Sequence, residues 1–421
     1  MADQKVMNRW LVVVGAVLIQ LCLGAIYAWS VFTPILKDAG WSKVDTQVVF
    51  SVGLAFFAIV MIYAGTKLND WGPRKLSLMS GIVLGLGYLL AGLLGGTNFW
   101  ALVIFIGVIG GSGIGLGYVV PIAVGMRWFP DKKGMITGLA VAGFGFGAMG
   151  WVKLAGEWGH LLQNVGLSTT FSIYGVAFAV MVICGGLVMI YPPDGWKPAG
   201  WQPEQAAAGG SGGGEVNFES GQMLRTPQFF MIFCTFLFTA SAGLMTIGLM
   251  KLYPMEALQA KGISEAAASG IAGTAMAIFF SLANGLGRIG WGMVSDKIGR
   301  KTSIVIMAGT QGIIVILFTM MAGSPMLLYL GATLIGFNFG GNFALFPAIT
   351  ADIFGTKNVG RNYPYIFLSY GLGGIFGPIL GGFLGDMGNF ALAFTICGVA
   401  CLIGAFLTFM VRQPKAIPVA A

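Results

Sequence analysis

The chain is poor in charge: 9% of its 421 residues are Asp, Glu, Lys or Arg, against about 25% in an ordinary soluble domain. A water-facing surface cannot be built from so few, which excludes a soluble enzyme of two or three domains. Histidine occurs once, at His160, and cysteine five times, at Cys22, Cys184, Cys234, Cys397 and Cys401. All five cysteines stand within apolar segments, so neither a disulfide framework nor a tetrahedral metal site is expected. No cofactor is expected. Gly145-Phe-Gly147-Ala-Met-Gly150 has the spacing of a dinucleotide loop, but it sits inside an apolar run with no strand before it, where helix packing explains it. The net charge of +8 does not point to nucleic acid, because the basic residues lie in short loops between apolar runs.

What fills the chain instead is apolar. Residues of the AVILMFWYC set make up 57% of it, enough for a dozen membrane spans at about 20 residues each. Runs broken by charge, proline or glycine predict spans near 10–36, 46–67, 76–95, 99–126, 135–162 and 169–191. A second set falls near 227–253, 266–294, 303–322, 325–353, 364–384 and 389–411. The expected fold is an all-α membrane protein with 12 transmembrane helices in two six-helix halves, residues 1–191 and 227–421. Residues 192–226, with Pro192, Pro193, Pro198, Pro203 and the glycine run from Gly209 to Gly214, read as a linker. Placing both termini on one side collects 17 Lys and Arg residues there, including Arg74, Arg127, Lys357 and Arg361, against five on the other, which makes the termini and the linker cytoplasmic.

One of the 23 cations is left over by that count. Arg288 stands inside the eighth run, in Asn284-Gly-Leu-Gly-Arg288-Ile-Gly-Trp291, while all 15 acids fall at span ends, in loops or in the linker. A charge at membrane depth costs at least about 2.5 kcal/mol and marks a functional site by default. The plainer alternative is snorkelling toward the interface about six residues away. A buried guanidinium with no protein counter-ion needs an anion from elsewhere, and a planar carboxylate suits its parallel donors. Asn284, one turn earlier on the same face, is placed to offer a second hydrogen bond or to hold a neighbouring helix.

The loop after the second span, Gly65-Thr-Lys-Leu-Asn69-Asp70-Trp-Gly72-Pro-Arg74-Lys75, is repeated after the eighth as Gly292-Met-Val-Ser-Asp296-Lys-Ile-Gly299-Arg300-Lys301. The second copy resembles the G-x-x-x-D-x-x-G-[RK]-[RK] loop of the major facilitator superfamily; in the first, Asn69 stands where the aspartate belongs and Asp70 is shifted by one. Asp70, Arg74, Asp296 and Arg300 are thus candidate gating residues, since an aspartate at one helix end can bond the N-terminus of another and pair with the loop arginine. The stretch from Gly115 through Tyr118 and Pro121 to Gly143 resembles the monocarboxylate transporters and, more closely, the bacterial oxalate/formate antiporters. Gly24-Ala-Ile-Tyr27-Ala-Trp29 and Asp352-Ile-Phe-Gly355 followed by Arg361-Asn362-Tyr363 are similar to that branch too.

The resemblance implies that Arg288 binds the substrate carboxylate and that Tyr27, Tyr118 and Tyr370 line the cavity. Many animal relatives place an aspartate linked to proton coupling where this chain has Asn284, and their first-span lysine has no counterpart. The antiporter's second cation, on span eleven, falls at Tyr370, and two aromatic positions of its span-ten cage become Asn338 and Asn342. Phe339 and Phe343 lie one turn apart on the same span. One cation suits one carboxylate, so the expectation is a secondary transporter of a small monocarboxylate of the lactate or pyruvate type, coupled to a proton. It would work as a monomer in the cell inner membrane and would not be an enzyme. A carboxylate exchanger of the oxalate/formate type, and a carboxylate sensor without flux, are the alternatives.

Overall fold

The computed structural model describes residues 7–41, 43–156, 158–193, 195–198, 217–250 and 252–414. Twelve helices in it are long and apolar enough to cross a membrane: α1 Arg9–Trp29, α2 Val48–Trp71, α3 Pro73–Gly95, α4 Phe99–Trp128, α5 Met135–Ala155, α6 Gly166–Gly186, α7 Pro227–Leu249, α8 Glu265–Ile298, α9 Arg300–Met321, α10 Pro325–Phe354, α11 Val359–Gly385 and α12 Phe390–Met410. Short polar side chains start several of them. Asn8 accepts from the Trp10 N–H at 3.0 Å, Asn98 from Ala101 at 3.0 Å, Thr226 from Phe229 at 3.2 Å and Asn389 from Leu392 at 3.1 Å, each satisfying an amide the helix cannot. The repeated loop is visible in the backbone as well: Gly72 and Gly299 take φ values of 77° and 87°, a region a side chain would resist, and each opens the next span.

Four expected spans run too far. The first ends at Trp29, within the 3-10 segment Gly24–Val31, and Thr33–Asp38 is a separate short helix. The fifth stops at Ala155, before the short helix Leu161–Asn164, because Gly156 breaks it. The sixth stops at Gly186 and the seventh at Leu249. The eighth, by contrast, continues to Ile298. Most of the expected linker, 199–216, lies outside the described residues.

The packing has internal two-fold symmetry. Within the first six helices α1 packs on α5, α2 on α4 and α3 on α6; within the last six α7 packs on α11, α8 on α10 and α9 on α12. The halves then meet along two equivalent seams, α5 against α8 and α2 against α11. Small residues bring the backbones together there. A Cβ added to Gly138 would fall 2.9 Å from the Arg288 carbonyl carbon and 3.1 Å from Ile289 Cα, and one added to Gly65 would fall 2.8 Å from the Pro364 ring. The outward faces carry large exposed apolar side chains, among them Leu93, Leu94, Trp100, Met320, Met326, Phe376 and Phe406. A soluble monomer does not expose such a belt; lipid covers it.

Candidate functional site

Arg288 sits on α8 with its guanidinium turned inward and 0% exposed, so it does not snorkel. Its Nε donates to Asn284 Oδ1 at 3.0 Å, and its Nη1 donates to the Val141 carbonyl of α5, in the other half, at 3.0 Å. A helical carbonyl has a second lone pair for this, and the glycines of α5 let α8 approach closely enough to reach it. The charge also lies 4.0 Å from the centre of the Phe343 ring and 5.2 Å from that of Phe144. Nη2 is buried without a hydrogen-bond partner, and no carboxylate among the described residues pairs with the guanidinium.

Around this cation the two halves close an aromatic cage. The Tyr27 and Tyr370 hydroxyls hydrogen-bond to each other across the interface. Tyr118 packs at 5.0 Å on Phe57, 5.1 Å on Phe367 and 5.5 Å on Phe144, and Phe343 lies 5.4 Å from Tyr370. Tyr118, Tyr363 and Tyr370 are fully buried; the Tyr363 hydroxyl lacks a partner, and the Tyr27 and Tyr118 hydroxyls lie close enough to the guanidinium to interact with it. The guanidinium charge acts on all four of the tyrosines Tyr27, Tyr118, Tyr363 and Tyr370. The arrangement offers one positive charge, several hydroxyl donors and ring faces that can bound a small aliphatic group.

The structure gathers Arg288, Asn284, Tyr27, Tyr118, Tyr370 and Phe343 at this point. It places Asn284 as an acceptor that orients Arg288, its oxygen already engaged by Nε. Asn338 and Phe339 are used elsewhere. Asn338 accepts from Trp291 Nε1 at 3.2 Å and donates to Thr310 Oγ1 at 3.1 Å, tying α8, α9 and α10 together. Phe339 packs on Phe280 at 6.1 Å and on Phe343 at 5.3 Å. Asn342 Oδ1 accepts from Thr239 at 2.9 Å while its Nδ2 is buried without a partner. Phe57, Phe144, Tyr363, Phe367 and the Val141 carbonyl escaped the sequence reading. With 13% aromatics, most of them in core positions, nothing distinguishes these rings, and a backbone carbonyl leaves no trace in a sequence.

On the side of the termini the α5/α8 seam is fastened by the second copy of the repeated loop. Asp296 Oδ2 accepts from the Met135 N–H at the start of α5 at 2.8 Å, and Asp296 Oδ1 pairs with Arg300 at 2.5 Å. Arg300 reaches on to Asp352 at 3.3 Å and to Ser295. The first copy is different: Asp70 pairs with Lys67 at 3.8 Å rather than with Arg74, and it is largely exposed. Two mirrored bundles of six spans, meeting at a buried cation and fastened at one end, define a membrane transporter.

A model of the Major Facilitator Superfamily matches residues 12–281 and 252–420, and the chain belongs to that family. Among its relatives, an uncharacterized MFS-type transporter of Escherichia coli (strain K12) is 31% identical over 87% of this chain and 86% of its own length. The oxalate:formate antiporter of Oxalobacter formigenes is 28% identical over 96% and 92%. The apicoplast pyruvate carrier 1 of Toxoplasma gondii is 24% identical over 86% and 81%. In fold the chain is similar to the proton:xylose symporter XylE, with a TM-score of 0.68 and 15% identity over 97% of each chain.

Proposed function

We propose that this transporter moves a small monocarboxylate of the lactate or pyruvate type together with a proton, by rocking residues 1–191 against 227–421 around Arg288, with 192–226 as the connecting segment. The observation that carries this reading is the lone buried guanidinium with Nη2 unpartnered. The substrate carboxylate accepts from Nη2 and, as α5 moves away from α8, from the Nη1 that now serves Val141. Its aliphatic end rests against Phe343 and Phe144, and the tyrosine hydroxyls donate to its remaining lone pairs. With no acid among the described residues of the cage, the proton travels with the substrate or through tyrosine and water contacts. One chain completes the site, so the monomer suffices. The excess of cations on the side of the termini favours an orientation in the inner membrane with both termini in the cytoplasm. The pyruvate carrier among the relatives supports the substrate class.

Exchange of carboxylates is the second reading, favoured by the antiporter relative. Proteoliposomes separate the two. Symport gives accumulation of labelled lactate or pyruvate under an imposed pH gradient, acid on the substrate side, in vesicles empty of counter-substrate. Uptake only into vesicles preloaded with a carboxylate gives the reading to exchange.

Charge count also makes a selectivity prediction. Tyr370→Lys adds a second cation to the cage, and oxalate should then compete with the monocarboxylate at a concentration lower by at least about tenfold, equivalent to about 1.4 kcal/mol. Unchanged competition would mean that position 370 does not face the substrate.

A further inference from the structure

The α2/α11 seam is equivalent to the α5/α8 seam in packing but not in charge. Where Asp296 bonds the start of α5, the matching residue is Asn69, which lies in a cleft at the start of α11 beside Gly360. The same cleft is lined by Arg127 from the end of α4, by Tyr191, and by Lys357 and Arg361. Among the described residues none of these three cations pairs with a carboxylate and no acid lines the cleft. Arg361 Nε and the Tyr191 hydroxyl are buried there without hydrogen-bond partners. The Arg127 guanidinium stacks 3.7 Å above the Tyr191 ring, which fixes both at the rim. Burial raises the Tyr191 phenol above its ordinary value against the opposing pull of Arg127, so the hydroxyl stays a protonated donor.

We propose that this cleft is a binding site for a small oxyanion, a phosphate group either free or in an anionic lipid headgroup, which supplies the charge that Asp296 supplies on the other seam. Three cations, two unpartnered donors and the positive end of a long helix converge on it. Arg127 and Asn69 belong to the first half and Arg361 to the second, so the bound anion holds the halves together on the side of the termini. The site is separate from Arg288 and does not rest on the substrate proposed above.

Thermal unfolding of the purified full-length protein with sodium phosphate, against sodium chloride of equal ionic strength, tests this. Phosphate should raise the apparent melting temperature saturably, by at least about 2 °C. Arg361→Gln should lose that rise. Asn69→Asp should melt higher without phosphate and no longer respond to it, which keeps the test decisive if Arg361→Gln fails to fold. Arg288→Gln should still respond. In nanodiscs, a rise produced by phosphatidylglycerol over phosphatidylcholine, lost in Arg361→Gln and not increased by phosphate, assigns the anion to the headgroup and supports the site. The proposal is overturned if neither phosphate nor phosphatidylglycerol stabilises the protein, if Arg361→Gln and Asn69→Asp respond as the parent does, or if Arg288→Gln alone abolishes the response, which would put the phosphate in the central cage.

Discussion

Arg288→Ala should lower uptake of the carboxylate at least about a hundredfold, since removing one partner of a buried charge pair costs about 3 to 5 kcal/mol. The loss should appear in binding as well as in turnover, because nothing else in the cage is positively charged. Arg288→Lys is not a conservative change here. A lysine keeps the charge and three N–H donors, but they leave a single nitrogen and cannot span the separate positions from which Nε and Nη1 serve Asn284 Oδ1 and Val141 O while Nη2 faces the substrate. An intermediate loss of about tenfold is expected. Stability should move the other way. In the empty protein the guanidinium is buried with Nη2 unpartnered, so Arg288→Met, of similar volume and no charge, should raise the apparent melting temperature while transport is lost. Liposome uptake and thermal unfolding on the same preparations check both halves of the prediction. Wild-type uptake by the alanine variant would remove Arg288 from the substrate site.

Gly138→Val should abolish transport without preventing either half from folding. A Cβ at position 138 meets the Arg288 carbonyl carbon at 2.9 Å and Ile289 Cα at 3.1 Å, and both are backbone that cannot rotate away. Valine adds two methyl groups to that clash. α5 and α8 therefore cannot come together, the Val141 carbonyl is carried out of reach of Nη1, and the Asp296 bond to Met135 N is stretched. Overpacking of this kind costs about 1 to 3 kcal/mol or more, enough to move a two-state equilibrium ten- to hundredfold toward the form open on the side of the termini. A cysteine introduced at position 135 should then be labelled by a soluble maleimide faster than in the parent, with Gly138→Ala between the two. Equal labelling rates would show that the seam does not have to close at Gly138.

Arg288 was legible in the sequence because charge is scarce: once every other cation has a loop and every acid a span end, a single residue remains. The spans were legible for the related reason that the bilayer leaves long apolar runs. Their ends were harder: at Trp29 the chain stays apolar while the helix stops, and at Ala155 the glycine that breaks the helix stands among Lys153, Glu157 and His160, which the apolar run to Leu162 spans. The cage was half visible. Tyr118 and Tyr370 could be singled out by resemblance, but the hydroxyl bond between Tyr27 and Tyr370 joins residues 343 positions apart. Phe57, Phe144 and Phe367 look like any other ring in an aromatic-rich chain. Phe339 has the helical spacing that puts it beside Phe343, yet its ring packs on Phe280 of α8 and against Gly243 of α7, while Asn338 looks toward α8 and α9, where Trp291 and Thr310 receive it. Spacing fixes which residues share a face; it does not say what the face looks at.

The unlike fastenings of the two seams have a consequence for the order in which the halves part. Along α5/α8 separation must break charge-assisted bonds through Asp296, Arg300 and Asp352, which added salt weakens. Along α2/α11 no carboxylate among the described residues bridges the halves; separation must undo the close approach of Gly65 to Pro364 and of Gly360 to Leu68, and release any anion held between Arg127 and Arg361. The motion is thus a lopsided swing rather than a symmetric hinge: the chain's own carboxylates latch one side, close apolar contact and a borrowed anion hold the other, and the anion present selects which side yields first.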